Sequence, residues 1–182
     1  MSKVFWQPGT MLFPVPAVMV SCGTMEYSNI ITIAWTGTIC SDPPMTYVSI
    51  RPERYSHKLI KDTGEFVINL TTKNLAFATD YCGVKSGKDM DKFKKMKLTP
   101  VVGQKVKAPL IKESPINIEC KVTEIKLLGT HDMFFAKIVG VNVDKQYIDK
   151  NDALQFKETE PIAYAHGKYY TLGDVVGHFG YS

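Results

Sequence analysis

Arginine is almost missing from this chain: twenty lysines stand against only Arg51 and Arg54 in 182 residues. The formal net charge is only +4, too mild for a dedicated nucleic-acid binder. Cysteine is sparse as well. Cys22, Cys40, Cys82 and Cys120 form no CxxC pair, and a chain of this length needs no disulfide framework. They read as packing thiols of a reducing cytosol. Long apolar runs are also absent. The most apolar early stretch, residues 11–20, carries Pro14 and Pro16, so it cannot cross a bilayer as a helix. Lys3 is the only early charge, and no small-residue cleavage site follows that run as a signal peptide requires. These absences exclude membrane-spanning and disulfide-framework classes and lead to the expectation of a cytoplasmic protein. The apolar share of 45% is that of an ordinary globular protein. We expect one domain over residues 1–182, large enough for its own core.

The usual catalytic signatures are missing too. His57, His131, His166 and His178 show neither HExxH nor a Cys/His zinc spacing. There is no GxSxG elbow and no GxGxxG fingerprint, so a nicotinamide would have to bind without a Rossmann domain. The segment GVKSGKD at residues 83–89 resembles a phosphate loop at a glance. It has three residues between its glycines where four are needed, and Asp89 stands where Ser or Thr would hold magnesium. That reading is rejected.

The chain does carry a period of two. In NIITIAWTGTICS (residues 29–41) the large apolar side chains Ile31, Ile33, Trp35 and Ile39 alternate with the small Thr32, Ala34, Thr36, Thr38 and Cys40. This predicts one long strand with a core face and a face that a flat group could approach. Residues 17–22, 45–51 and 66–70 read as further strands. Residues 116–128 alternate at Ile116, Ile118, Cys120 and Val122, then slip one place to Ile125 and Leu127, which predicts a β-bulge. Gly129–Thr130–His131–Asp132 then turns into the alternation of residues 133–143, giving a long hairpin. Helices are short and few. SHKLIKDTG predicts one capped by Ser56 and stopped by Gly64; residues 74–82 before Gly83 predict a second, and residues 89–96 a basic third. Residues 98–114 read as a surface loop. Many strands with three short helices in one domain predict a closed or partly closed β-barrel.

One constellation is of phosphate size. Both arginines fall in Arg51–Pro52–Glu53–Arg54, directly before the first predicted helix. A helix N-terminus presents free N–H groups and partial positive charge, and guanidinium adds the paired donors that lysine lacks. The competing reading is a turn with solvated charges. Seven lysines lie from Lys88 to Lys107; such a run is ordinarily a solvated face, though one of them, such as Lys92, can complete a phosphate or ribityl site.

These stretches together resemble a known family. NIITIAWTGTICSDPPMTYVSI at residues 29–50, SHKLIKDTGEFVINL at 56–70, SGKDMDKF at 86–93 and PIAYAHGKYYTLGDVVGHFG at 161–180 are similar to the flavin reductase-like, FMN-binding split-barrel family, which includes flavoredoxins and reductase components of two-component monooxygenases. The resemblance implies a mainly β split barrel with a few short helices, and a homodimer with FMN near the subunit interface. It implies that Asn29, Trp35, Thr36 and Cys40 lie along the flavin and its ribityl chain. It places Ser56 and His57 at the phosphate with Lys92 nearby, and His131 and Tyr164 close to the isoalloxazine ring. It prescribes no catalytic acid or base. The function implied is reduction of flavin by NAD(P)H. The alternatives are a flavoredoxin-type electron carrier reduced by a protein, a flavin- or haem-binding module without turnover, and a pyridoxamine-phosphate-oxidase-like activity.

Overall fold

The computed structural model describes residues 2–182. In chain order, β1 (Val15–Pro16), β2 (Val18–Gly23), β3 (Ser28–Ile33), β4 (Thr36–Ser41) and β5 (Pro44–Ile50) lead to helix α1 (Tyr55–Thr63) and β6 (Glu65–Leu70). A short 3-10 turn at Lys73–Leu75 opens into α2 (Ala76–Val84), followed by α3 (Lys92–Lys95), β7 (Pro100–Val101) and β8 (Leu110–Ile111). The long hairpin of β9 (Ile116–Leu127) and β10 (Asp132–Val143) comes next, and β11 (Ile162–Ala165) and β12 (Lys168–Thr171) close the fold. The molecule is mostly strand, as the alternation predicts.

Seven strands form an antiparallel sheet in the order β3-β2-β6-β9-β10-β5-β4. The two edge strands, β3 and β4, are consecutive in the chain and joined only by Ala34 and Trp35. The sheet must therefore curl until its edges nearly meet, which makes a barrel. The predicted single strand over residues 29–41 is thus two strands. The Ser49 N–H donates to the Trp35 carbonyl at 2.9 Å, a stitch across the seam where the barrel stays split. The predicted bulge is present: Phe135 pairs with Glu124 and Ala136 with Val122, so Thr123 is the extra residue. The hairpin turns at Gly129, whose φ of 97° suits glycine.

The apolar alternation sorts into two cores. Val18, Val20, Ile31, Ile33, Phe66, Ile68 and Phe134 fill the barrel interior together with Leu59 and Ile60 of α1. Met19 and Ile30, pointing the other way, are covered by Leu75, Ala78 and Cys82 of the α2 region and by Phe93, Leu98 and Ile111. Because β2 is buried on both faces, it reads as a continuous apolar run.

Four local expectations are corrected. Ser56 is not the cap of α1; Arg54 occupies that position without a side-chain cap bond, and Ser56 lies inside the helix, fully buried. Gly64 does end the helix, with φ 68°. Helix α2 runs through Gly83 to Val84, because this glycine lies against β3: a Cβ there would meet Thr32 Cβ at 3.2 Å. Residues 98–114 are not simply a surface loop, since Val106, Ala108 and Leu110 bury against Val67. Finally, the small face is only partly open: helix α2 packs on Thr32, whose hydroxyl donates to the Thr79 carbonyl, while Thr32 and Ala34 still border a cavity at the seam.

Candidate functional site

Two cavities meet at the barrel seam. The first, of about 220 Å³, is walled by the Ile31–Trp35 backbone run on one side and Ser49, Ile50 and Arg51 on the other, with Arg54, His131 and Tyr164 around its mouth. It lies where β3 and β5 fail to join. The second, of about 160 Å³, is lined by Asn29, Ser56, Cys82 and Lys92 together with Arg54, Glu53 and the Lys85–Ser86–Gly87 loop. Ile31 and Arg54 line both, so the two adjoin at a bend, as the two arms of a cleft. Each alone falls below the usual range of small-molecule sites, about 300–1,000 Å³; joined, they reach it.

The second cavity, termed the anion cavity for its charge, gathers Arg54, Lys85 and Lys92 against Glu53 alone. Lys92 is only 3% exposed, unusual for lysine. Its Nζ donates to the Ile30 carbonyl at 2.6 Å and the Cys82 carbonyl at 2.8 Å. An ammonium has three donors, and Lys92 lines the cavity, so one remains for a ligand. Its pKa is lowered from 10.5 to about 8: burial is the main cause, Cys82 opposes it, and the nearby Arg54 adds to it. Arg54 spends one donor on the Gly83 carbonyl at 2.7 Å, which fixes the guanidinium at the junction of the cavities. The Asn29 amide donates to Ser56 Oγ at 2.8 Å, aligning the strand with the first turn of α1. Gly87 closes over this pair so tightly that a Cβ would sit 2.0 Å from Asn29 Oδ1. Any larger residue here would be driven into the site.

The structure brings together Asn29, Arg54, Ser56 and Lys92 at the anion cavity, and Trp35, Arg51, Arg54, His131 and Tyr164 at the seam cavity. Arg51 therefore lies at the seam end, apart from Lys92, and it pairs loosely with Glu53 at 3.7 Å. Tyr164 is placed by β11, which pairs with β1 through Val15 opposite Tyr164. His131 is placed by the β9–β10 turn, with Nδ1 beside Thr130 Oγ1 at 2.9 Å.

Three residues expected along the ligand line neither of these two cavities. His57 turns away from both cavities, its Nε2 2.7 Å from Asp132 Oδ2 and its ring edge-on to Phe134 at 5.1 Å. Helical geometry dictates this: Ser56 faces the anion cavity, so its neighbour about 100° around α1 faces the barrel. Thr36 lines an adjoining hollow with Met11, Tyr47 and Met133, which shares Ala34, Trp35 and Ser49 with the seam cavity, and it donates to the Tyr47 carbonyl at 2.5 Å. Cys40 lies near the β4–β5 turn, its Sγ 3.3 Å from the Asp42 carbonyl.

Sequence reasoning missed Ser49, Lys85, Ser86 and Gly87. The first carries no motif. The other three belong to the rejected phosphate-loop look-alike; rejecting magnesium chemistry there was sound, yet the same residues line the anion cavity. Among the described residues no His, Cys, Asp and Glu cluster is arranged to hold a metal, and no helix is long and apolar enough to cross a membrane.

A model of the family described as "Flavin reductase like domain" matches residues 10–173. The chain belongs to the flavin reductase-like family. A relative in Pyrococcus abyssi, itself uncharacterised, is 36% identical over 130 residues, covering 71% of this chain and 74% of the relative. Among solved structures, the flavoredoxin of Desulfovibrio vulgaris (Miyazaki F) superposes with a TM-score of 0.91 at 29% identity, covering 100% of this chain and 99% of that one. The flavoredoxin of Methanosarcina acetivorans gives 0.92 at 25% identity, with 100% and 97% coverage. The flavin reductase-like split barrel is thus the fold of this chain.

Proposed function

We propose that the bent cleft holds FMN and that the chain is a flavin-dependent oxidoreductase, an NAD(P)H-dependent flavin reductase. One observation carries this reading: a seam cavity and an anion cavity share Ile31 and Arg54, so one ligand with a flat end and a phosphate end fits where either part alone does not. The residues suit the group. Arg54, Ser56, Asn29 and Lys92 offer donors and positive charge to a phosphate dianion. The backbone of residues 31–35 offers its peptide edge to a ring, with Trp35 and Tyr164 as apolar walls.

The chemistry such a cofactor supplies when bound is hydride and electron exchange, with negative charge developing on its pyrimidine edge. The protein's part is to orient the ring, exclude water and place donors beside that charge. Arg51, Arg54 and His131 are the basic side chains around the seam cavity. No nucleophile or triad is required, which accords with the lack of any such motif.

The reading includes a cytoplasmic homodimer with residues 1–182 as one domain and the cofactor near the subunit interface. A second reading is favoured by the two flavoredoxin superpositions: an electron carrier reduced by a protein partner, without direct use of NAD(P)H. Purified protein should be yellow or reconstitute with FMN, and anaerobic NADH or NADPH should bleach it within turnover time. Colourless protein that FMN cannot reconstitute overturns every flavin reading. Yellow protein that only a reduced redox protein bleaches selects the carrier.

A further inference from the structure

Beyond the anion cavity the cleft changes sign. Tyr55 and Gly87 line both that cavity and a further hollow of about 480 Å³. On the near side the charged lining residues are Arg54, Lys85 and Lys92 against Glu53. That balance matches the dianion of one terminal phosphate monoester. On the far side they are Glu26, Asp89 and Asp91 against Lys88. Asp91 is committed to α3, accepting the Lys94 N–H at 3.1 Å. Glu26 and Asp89 are exposed and join none of the ion pairs among the described residues. The boundary itself is narrow, because Gly87 packs on Asn29 and Tyr55 stands edge-on to Tyr27 at 6.3 Å.

We propose that this charge reversal at Tyr55 and Gly87 makes the site select flavin mononucleotide over the dinucleotide, with Glu26 and Asp89 as the discriminating residues. The inference rests on the flavin reading above. A dinucleotide exchanges one terminal dianion for two singly charged phosphates. The first would under-fill the positive cavity, and the second would lie toward the exposed carboxylates, where like charges repel. The mononucleotide ends before the sign changes.

The test is an equilibrium titration of the purified full-length protein with riboflavin, FMN and FAD, followed by flavin fluorescence at low and high salt. FMN should bind at least about tenfold more tightly than FAD, and the gap should narrow as salt screens the exposed carboxylates. Glu26→Gln with Asp89→Asn should raise FAD affinity several-fold while changing FMN affinity by a smaller factor, and Asp89→Lys should narrow the gap further. Both positions are at the surface, so the variants keep the fold. FAD binding as tightly as FMN, or a ratio that no variant moves, overturns the proposal. Failure of all three flavins to bind overturns the flavin reading itself, and this inference with it.

Discussion

In the proposed site, Lys92 and the two arginines divide the work of recognition at the level of single residues. Lys92 gives two hydrogen bonds to carbonyls of its own chain and keeps one donor for the ligand, so Lys92→Met should weaken FMN strongly and riboflavin much less. Its pH dependence has a definite sign. In the free protein burial lowers its pKa to about 8, and a bound phosphate favours the ammonium and raises it. FMN affinity should therefore be full below pH 8 and fall as pH rises through and above 8; riboflavin should show no such fall. Isothermal titration across pH 7 to about 10 measures both. Arg54 touches both cavities and Arg51 only the seam. Arg54→Ala should cost FMN more than riboflavin, whereas Arg51→Ala should weaken the two alike. Equal effects of the two substitutions would sink that division of roles.

Helix α1 and the β9–β10 hairpin hold the two ends of the cleft at a fixed spacing. Ser56 at the anion cavity is followed by His57, which is buried against Asp132. Asp132 in turn follows His131 of the seam cavity and pairs in register with Ile50 of its wall. Asp132→Ala leaves a buried imidazole nitrogen without its partner, so it should destabilise by about 1–3 kcal/mol in urea unfolding and loosen FMN and riboflavin together. A loss confined to stability would mean the pair plays no part in spacing the cleft. Glu119 anchors the other side of the barrel. Burial alone would raise its pKa, but the Asn142 amide and the backbone N–H groups of Lys105, Gln104 and Val106 outweigh this and lower it from 4.5. Its stabilisation is present above the ordinary carboxylate range and is lost as pH falls below it. Glu119→Gln should remove that part of the acid limb in a thermal-melt series.

Elements governed by local periodicity were legible in the sequence: the β9–β10 hairpin, its bulge at Thr123 and the end of α1 at Gly64. What depends on distant contacts was not. Ser56 looks like a cap until Asn29, from another strand, claims its hydroxyl. The small face of residues 32–40 looks fully open until α2 folds over Thr32. At the site, Asn29, Arg54, Ser56, Lys92, Trp35, Arg51, His131 and Tyr164 line the cleft. His57, Thr36 and Cys40 do not, because neighbouring residues on a strand or helix face different ways.

The whole molecule presents apolar surface that a lone chain does not need. Phe5, Trp6 and Leu12 near one end, and Val175, Val176 and Phe179 near the other, are all largely exposed. In the proposed homodimer these are side chains that a second copy would cover. Sedimentation equilibrium should give twice the 20.4 kDa chain mass, and deleting residues 174–182 should shift the equilibrium toward monomer. A truncated chain as dimeric as the full one would exclude the C-terminal segment from that contact. The opening shortage of arginine gains a meaning at this scale: both arginines of the chain stand at the seam where the barrel stays open. The most direct measurement is a titration of the flavin-free protein with FMN, followed by the visible band, with riboflavin run alongside. The account predicts saturation at one FMN per chain and markedly weaker binding of riboflavin; no saturation, or equal affinity for the two, would contradict it.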